Sequence, residues 1–314
     1  MKRLPALTLL SAVLAFTQAM ASDCPVKSDG PVISAYSQQS DRSIHCNYVN
    51  SVESIFSEIE RFSEDDVKVN LFVQSIYDNA SFDGGNIIEV PEQLIFRGTY
   101  SQEYPVGIMA NLSTVAHEYG HALLAKIFGR ELSQYPVVKA YDQANLEISK
   151  LKIKLNLNPD SIELQQEISE KNKAILANKD FIRYSVISTN YSELYADVVA
   201  VYLNNNKNAI MSALYYDEMS DFQFRMIQAR SFDTEFTSTH TKYMSEVHGH
   251  FALTRNYIGK NLWPESASDK KIMLKKIGDA IVAEVKKLLD EKSEMPEYKV
   301  SNKNLIERLK KSEL

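Results

Sequence analysis

"TVAHEYGHALLAKIF", residues 114–128, carries two histidines four apart with a glutamate directly after the first. On an α-helix, residues four apart lie one above the other on one face. His117 and His121 can therefore offer two imidazole nitrogens to a single ion about 2.0–2.1 Å from each. Glu118 sits one step further round, out of reach as a third ligand but placed to meet a water beside that ion. This is the geometric reason H-E-x-x-H signals zinc together with a general base. Gly120 and Ala122 keep the helix slim, so another segment can approach closely. The competing reading is a helix that buries two hydrogen-bonded histidines. The flanks Val115-Ala116 and Ala122-Leu123-Leu124 are apolar nearly all round, so the helix is expected to be buried. Burying His, Glu and His together is costly unless a cation offsets it.

A zinc ion whose fourth position stays open needs a third protein ligand, either a later histidine or a carboxylate on another buried helix. Residues 192–203, "SELYADVVAVYL", place Glu193 and Asp197 four apart at the opening of an otherwise apolar helix. Glu193 is the expected third ligand. Asp197 is expected to accept a hydrogen bond from the free N–H of a ligand histidine and so fix its tautomer.

The ordered set resembles the gluzincin metallopeptidases, and within them the family of HtpX and the CAAX prenyl endopeptidases. The resemblance rests on Asn79-Ala80, Gly84-Gly85 before "NIIEV", His117-Glu118-Tyr119-Gly120-His121, and Glu193-Leu194-Tyr195-Ala196-Asp197, and spans residues 68–203. It implies a zincin-like endopeptidase with one Zn2+ per chain, held by His117, His121 and Glu193. Glu118 would be the base and Asp197 the partner of a ligand. It also implies a substrate lying antiparallel along the edge of a small sheet. That family carries a later histidine followed by an arginine near the active site. Here "STH" at 238–240 and "HGHFALTR" at 248–255 offer three histidines, none followed by the expected proline. His250 is favoured as a stabiliser of the transition state because Arg255 follows at nearly the right distance, with His240 and His248 as alternatives. Tyr195 or Tyr243 would serve in its place.

Outward from the motif, "VESIFSEIERF" (52–62) has helical spacing, "VKVNLFVQSIYD" alternates as a strand, "NASFDGG" is a turn, and "NIIEVPEQLIFRG" reads as a second strand and its continuation. The quoted helix is expected from about Asn111 to Phe128, stopped by Gly129. Residues 139–178 are charged and amphipathic, broken once at Asn158-Pro159-Asp160, and predict an inserted helical hairpin. It would serve as a lid or docking arm, or as a solvated hairpin only. A helix follows over about 181–204, then a helical region near 207–230, a less regular stretch through His250, and helices near 266–292 and 301–312. The expected class is α+β, mostly helical with a small mixed sheet. The expected organisation is a polar, irregular segment over 22–50, a catalytic domain over 51–263 and C-terminal helices over 264–314.

At the N-terminus, Lys2 and Arg3 precede an apolar run to about Phe16 and an Ala19-Met20-Ala21 cleavage site. Residues 1–21 therefore read as an export signal, which implies a periplasmic or secreted protein. The two cysteines, Cys24 and Cys46, are expected to form a disulfide in that compartment. No later stretch is long and apolar enough for an integral membrane span. The formal net charge of −6, more negative once Lys2 and Arg3 are removed, argues against nucleic acid as a partner. The expected function is hydrolysis of envelope or extracellular proteins or peptides. Rivals are a zinc-bearing binding or chaperone-like envelope protein that does not cut, and a hydrolase of non-peptide bonds. Oligomeric state is open.

Overall fold

The structure, a computed structural model, describes residues 24–38, 44–97, 102–236 and 241–311. The proposed signal and His240 lie outside these residues. The protein is α+β and mostly helical, with a small mixed sheet.

The sheet comes first in the chain. β1 (Val32–Ser37), β2 (Val69–Tyr77) and β4 (Ile87–Arg97) run parallel, and the short β3 (Ser81–Phe82) and β5 (Glu103–Pro105) pair antiparallel with β4. β1 falls inside the segment 22–50, whose composition predicts irregular structure. Its Val32, Ala35 and Tyr36 are buried, but Ser34 and Ser37 break the apolar alternation that marks a strand. Ser34 is accommodated because its hydroxyl donates to Asn70 Oδ1 on the neighbouring strand, 2.6 Å away. Val69, Leu71, Val73, Ile88 and Val90 from the sheet share one core with α1 (Cys46–Phe62) and α2 (Ile108–Glu131). Tyr36, Phe72 and Ile87 form a second cluster, against which Ile153 packs. Cys24 is joined to Cys46, which ties the N-terminal segment to the start of α1.

The centre of the molecule is the pair α2 and α5 (Lys179–Asn204). Both are apolar on nearly every face, and such helices are stable only when enclosed. They touch at Gly120, where a Cβ atom would stand 2.6 Å from the Cα of Ala196. Only glycine allows that approach, and it brings the two motifs onto facing surfaces. α5 starts at Asn178, whose side chain accepts from the backbone N–H groups of Asp180 and Phe181, and ends at Asn205 in the left-handed region. α2 does not stop at Gly129. It runs on to Glu131, because a glycine near a helix end weakens the helix without obliging it to terminate.

The predicted insert is a hairpin of α3 (Pro136–Leu157) and α4 (Ile162–Ala177). Pro136 suits a first helical turn, where its missing N–H is no loss, and Ser161 caps the second helix. The two halves differ. α4 buries no residue, whereas α3 buries Val138, Ile148, Ser149 and Leu151 and sends Ile153 onto the sheet. The Asp83-Gly84-Gly85 turn is pinned to α3 by a 2.7 Å bond from Ser149 Oγ to Asp83 Oδ2. A Cβ on Gly85 would meet Ser149 Oγ at 2.0 Å, and Gly84 has a φ of +79°, so both glycines answer to this contact.

Downstream, α6 (Ala209–Leu214), α7 (Asp221–Gln228), α8 (Thr241–Met244) and α9 (Ala252–Asn261) are short and joined by turns. α10 (Ala267–Asp290) and α11 (Tyr298–Lys311) contribute Ile277, Ile281, Val285, Leu305 and Leu309 to the main core. Among the described residues, no helix is long and apolar enough to cross a membrane.

Candidate metal centre

α2 and α5 bring His117, His121 and Glu193 together, with one nitrogen or oxygen from each lying within 4.8 Å of the others. Nε2 of His121 is 2.9 Å from Nε2 of His117. Glu193 Oε2 stands 3.3 Å from His117 Nε2, and Glu193 Oε1 stands 3.5 Å from His121 Nε2.

The opposite ring nitrogens explain how this meeting is oriented. His117 Nδ1 faces Asp197 Oδ1 at 2.9 Å, and His121 Nδ1 lies 2.6 Å from the Ser192 hydroxyl oxygen. With a proton held on each Nδ1, both Nε2 lone pairs point at each other and at Glu193. Glu193 Oε2 is buried and held only by long contacts, 3.3 Å to His117 Nε2 and 3.6 Å to Arg230 Nη2 and His248 Nε2, so it is under-satisfied for a buried carboxylate. The three residues could therefore hold a metal ion, with Glu193 opposite a slim helix that carries two imidazoles.

Asp197 is more than an orienting acid. Arg230 donates to it through Nε at 3.2 Å and Nη2, and Arg255 donates through Nε at 2.8 Å. Both Asp197 and Arg255 have fully buried side chains. Burial works against ionisation of Asp197, yet the two guanidiniums and His117 hold its carboxyl well below the usual range. Sequence reasoning placed Arg255 beside Asp197's site but missed Arg230. Arg230 enters from the turn after α7, and its Nη2 lies 3.2 Å from the ring nitrogens of His117 and 3.6 Å from Glu193 Oε2.

The neighbourhood also separates the two histidines. Burial and Arg230 pull the His117 imidazole down, but its hydrogen bonds to Asp197 and Glu193 outweigh them and push it up to about 9. Burial carries His121 the other way, down to about 3. Glu118 is buried beside them. Desolvation raises its carboxyl to about 7 against the pull of His117 and a hydrogen bond from the Phe82 backbone.

A cleft of about 430 Å³ opens over this cluster. Its floor is His117, Glu118 and His121, one rim is β3, and its far wall comes from α3 and α5. Of the candidates for a transition-state donor, His248 lines the cleft, with Nε2 3.6 Å from Glu193 Oε2 and Nδ1 bound to Glu246 Oε1 at 2.5 Å. His250 does not. Its ring packs on Phe251, its carbonyl accepts from Asn302 Nδ2 at 2.6 Å, and burial with Arg255 nearby lowers its imidazole to about 4. The expectation for His250 is corrected accordingly: His248 lines the cleft, while the His250 ring lies against Phe251 and its backbone carbonyl faces α11. Gly249 is pressed against the Tyr243 carbonyl, where a Cβ would stand at 1.8 Å. Tyr195 packs on the far side of α5 beside Gly278, and Tyr243 lies tilted against Phe222, so neither lines the cleft.

Compared with known family models, curated proteins and solved structures, the chain matches none.

Proposed function

We propose that the protein is an exported zinc-dependent metalloendopeptidase with a zincin-like active site, hydrolysing peptide bonds of envelope or extracellular proteins. The observation that carries this reading is the convergence of His117, His121 and Glu193 at the floor of an open cleft, with Glu118 beside them. The Cys24–Cys46 disulfide fits an oxidising compartment. The resemblance to the HtpX and CAAX prenyl endopeptidase family points to the same chemistry.

A divalent ion held by His117, His121 and Glu193 would supply Lewis acidity toward a carbonyl and a water at neutral pH. Glu118 is buried beside these three residues on the cleft floor, where it would act as the base. It takes a proton from the attacking water and returns it to the leaving amine. The Arg230 guanidinium and the His248 imidazole both line the cleft, and they are the donors for the developing oxyanion. Asp197, locked by two arginines, keeps the His117 ring in one tautomer. The short edge strand β3 borders the cleft with Ser81 and Phe82, so an extended substrate would run along it.

The test is Glu118→Gln beside the wild type, with metal content and peptide hydrolysis measured together. The variant is expected to hold about one zinc per chain, as the wild type does, while turnover of a casein digest falls on the order of 10²–10⁴-fold. Undiminished turnover would remove Glu118 as the base. Stoichiometric zinc with no hydrolysis by the wild type would make the protein a zinc-bearing binding protein instead.

A further inference from the structure

Beyond the metal centre, the cleft continues for two helical turns along α2, from His121 past Ala125 to Phe128, about 10 Å by helical rise. The opposite wall is α3, which contributes Tyr141, Asp142 and Asn145. Tyr184, on α5, stands edge-on to Tyr141 with ring centroids 5.4 Å apart. This part of the cleft mixes aromatic and polar side chains, and of the carboxylates Asp83 and Asp142 that line it, Asp83 accepts from Ser149 on α3.

Asp142 is unusual in its setting. Among the described residues no ion pair and no side-chain hydrogen bond engages Asp142, and it is not exposed. A Cβ on Gly129 would lie 3.5 Å from its Oδ2, which places the acid against the last turns of α2. Burial alone raises its carboxyl to about 6, and no nearby cation offsets that. Asp197, on the floor of the same site, shows the contrast: there the fold supplies two arginines and a histidine. At Asp142 the fold supplies none, and above its pKa a negative charge faces the cleft uncompensated.

We propose that Asp142 is the specificity-determining residue of a subsite for a basic side chain, Lys or Arg, of the peptide substrate. The aliphatic stem follows the cleft past Ala125, and the cationic head meets the Asp142 carboxylate. A residue or two of extended backbone plus a long side chain covers the span from the metal centre. This assignment gives the inserted helix α3 a part in substrate selection, while α4, which buries nothing, only braces it. It rests on the endopeptidase reading for its substrate class.

The experiment uses the zinc-loaded chain and matched fluorogenic peptides that differ at one residue near the scissile bond: Lys, Arg, norleucine or Glu. The wild type is expected to favour the basic peptides over norleucine by about tenfold in kcat/KM at pH 7.5, the size of one partly buried ion pair. In Asp142→Asn that ratio falls to near one, and in Asp142→Lys the preference passes to the Glu peptide. A ratio that is unchanged in Asp142→Asn, or a charge reversal that does not transfer preference, overturns the proposal. A second measurement separates this from failure of the catalytic reading. Binding of the same peptides to zinc-loaded Glu118→Gln, with and without Asp142→Asn, is followed by fluorescence anisotropy. Tighter binding of the Lys peptide that depends on Asp142 supports the subsite even if nothing is cut. Equal binding of the Lys and norleucine peptides overturns it.

Discussion

The α2–α5 floor and the α3–α4 arm border the same cleft, yet they treat charge in opposite ways. On the floor, two histidines, three acids and two arginines are gathered, and Asp197 is paired with both arginines and His117. On the arm, charges are numerous but mostly solvated, and α4 buries no side chain at all. Buried charge survives only where geometry compensates it. The floor is therefore a structure in which chemistry and stability are the same set of contacts, while the arm can change without consequence for the core. Asp142 lies on the boundary: it belongs to the arm in sequence and to the cleft in space.

The sharpest test of this contrast removes one acid from each region. Asp197→Ala leaves the Arg230 and Arg255 guanidiniums buried beside His117 without their shared partner. Breaking a buried charge pair in this way costs about 3–5 kcal/mol. Thermal denaturation should show a loss in Tm on the order of 10 °C. Glu167→Ala on the exposed face of α4 should produce no measurable shift. Comparable losses in both variants would break the distinction between the regions.

A smaller effect comes from two glycines of a single helix. Gly120→Ala adds a methyl where the Cα of Ala196 stands 2.6 Å away, and the backbone of α5 must retreat. The expected cost is about 1–3 kcal/mol from overpacking. Zinc affinity, measured by competition with a chelator, should fall as well, because Glu193 rides on the displaced helix. Gly129→Ala meets only Asp142 Oδ2, at an ordinary contact distance of 3.5 Å. It should stabilise α2 by about 0.5–1 kcal/mol with zinc affinity unchanged.

The same contrast explains what was legible in the sequence. His117, Glu118 and His121 are readable because a helical repeat fixes their mutual geometry, and Glu193 with Asp197 because a second repeat opens an apolar helix. Helix type and order were readable for the same reason. Arg230 was not: it enters from a turn, where no periodicity states which way a side chain points. Its only trace is an arginine between Ala229 and Ser231-Phe232 in a stretch that proves to be buried. The exchange of His248 for His250 has the same origin, since two residues either side of a glycine turn differ only in the direction their backbone faces. β1 was hidden because a short strand with two serines carries too weak an alternation, and its serine is satisfied by a partner 36 residues away.

The finest test concerns Asp142, and its sign follows from burial. Its carboxyl is raised to about 6 in the folded chain against 3.8 for the ordinary group. Below pH 4 both the folded and unfolded chains hold the proton, and the acid carries no penalty. Between pH 4 and 6 the unfolded chain has released its proton while the folded chain retains it, so this group lowers stability as pH rises. Above pH 6 both are ionised and the penalty is constant. Asp142→Asn removes the charge and leaves the shape. The variant should match the wild type near pH 4 and exceed it by about 1–2 kcal/mol at pH 7.5, a figure reduced for the group's partial exposure. Denaturant unfolding at the two pH values reads the difference directly. A gain that is equal at both would mean that the carboxylate is not desolvated, and the arm would then be solvated throughout. A gain confined to high pH identifies the penalty as that of an ionised acid without a cation, and that free energy is what a basic side chain entering the cleft would recover.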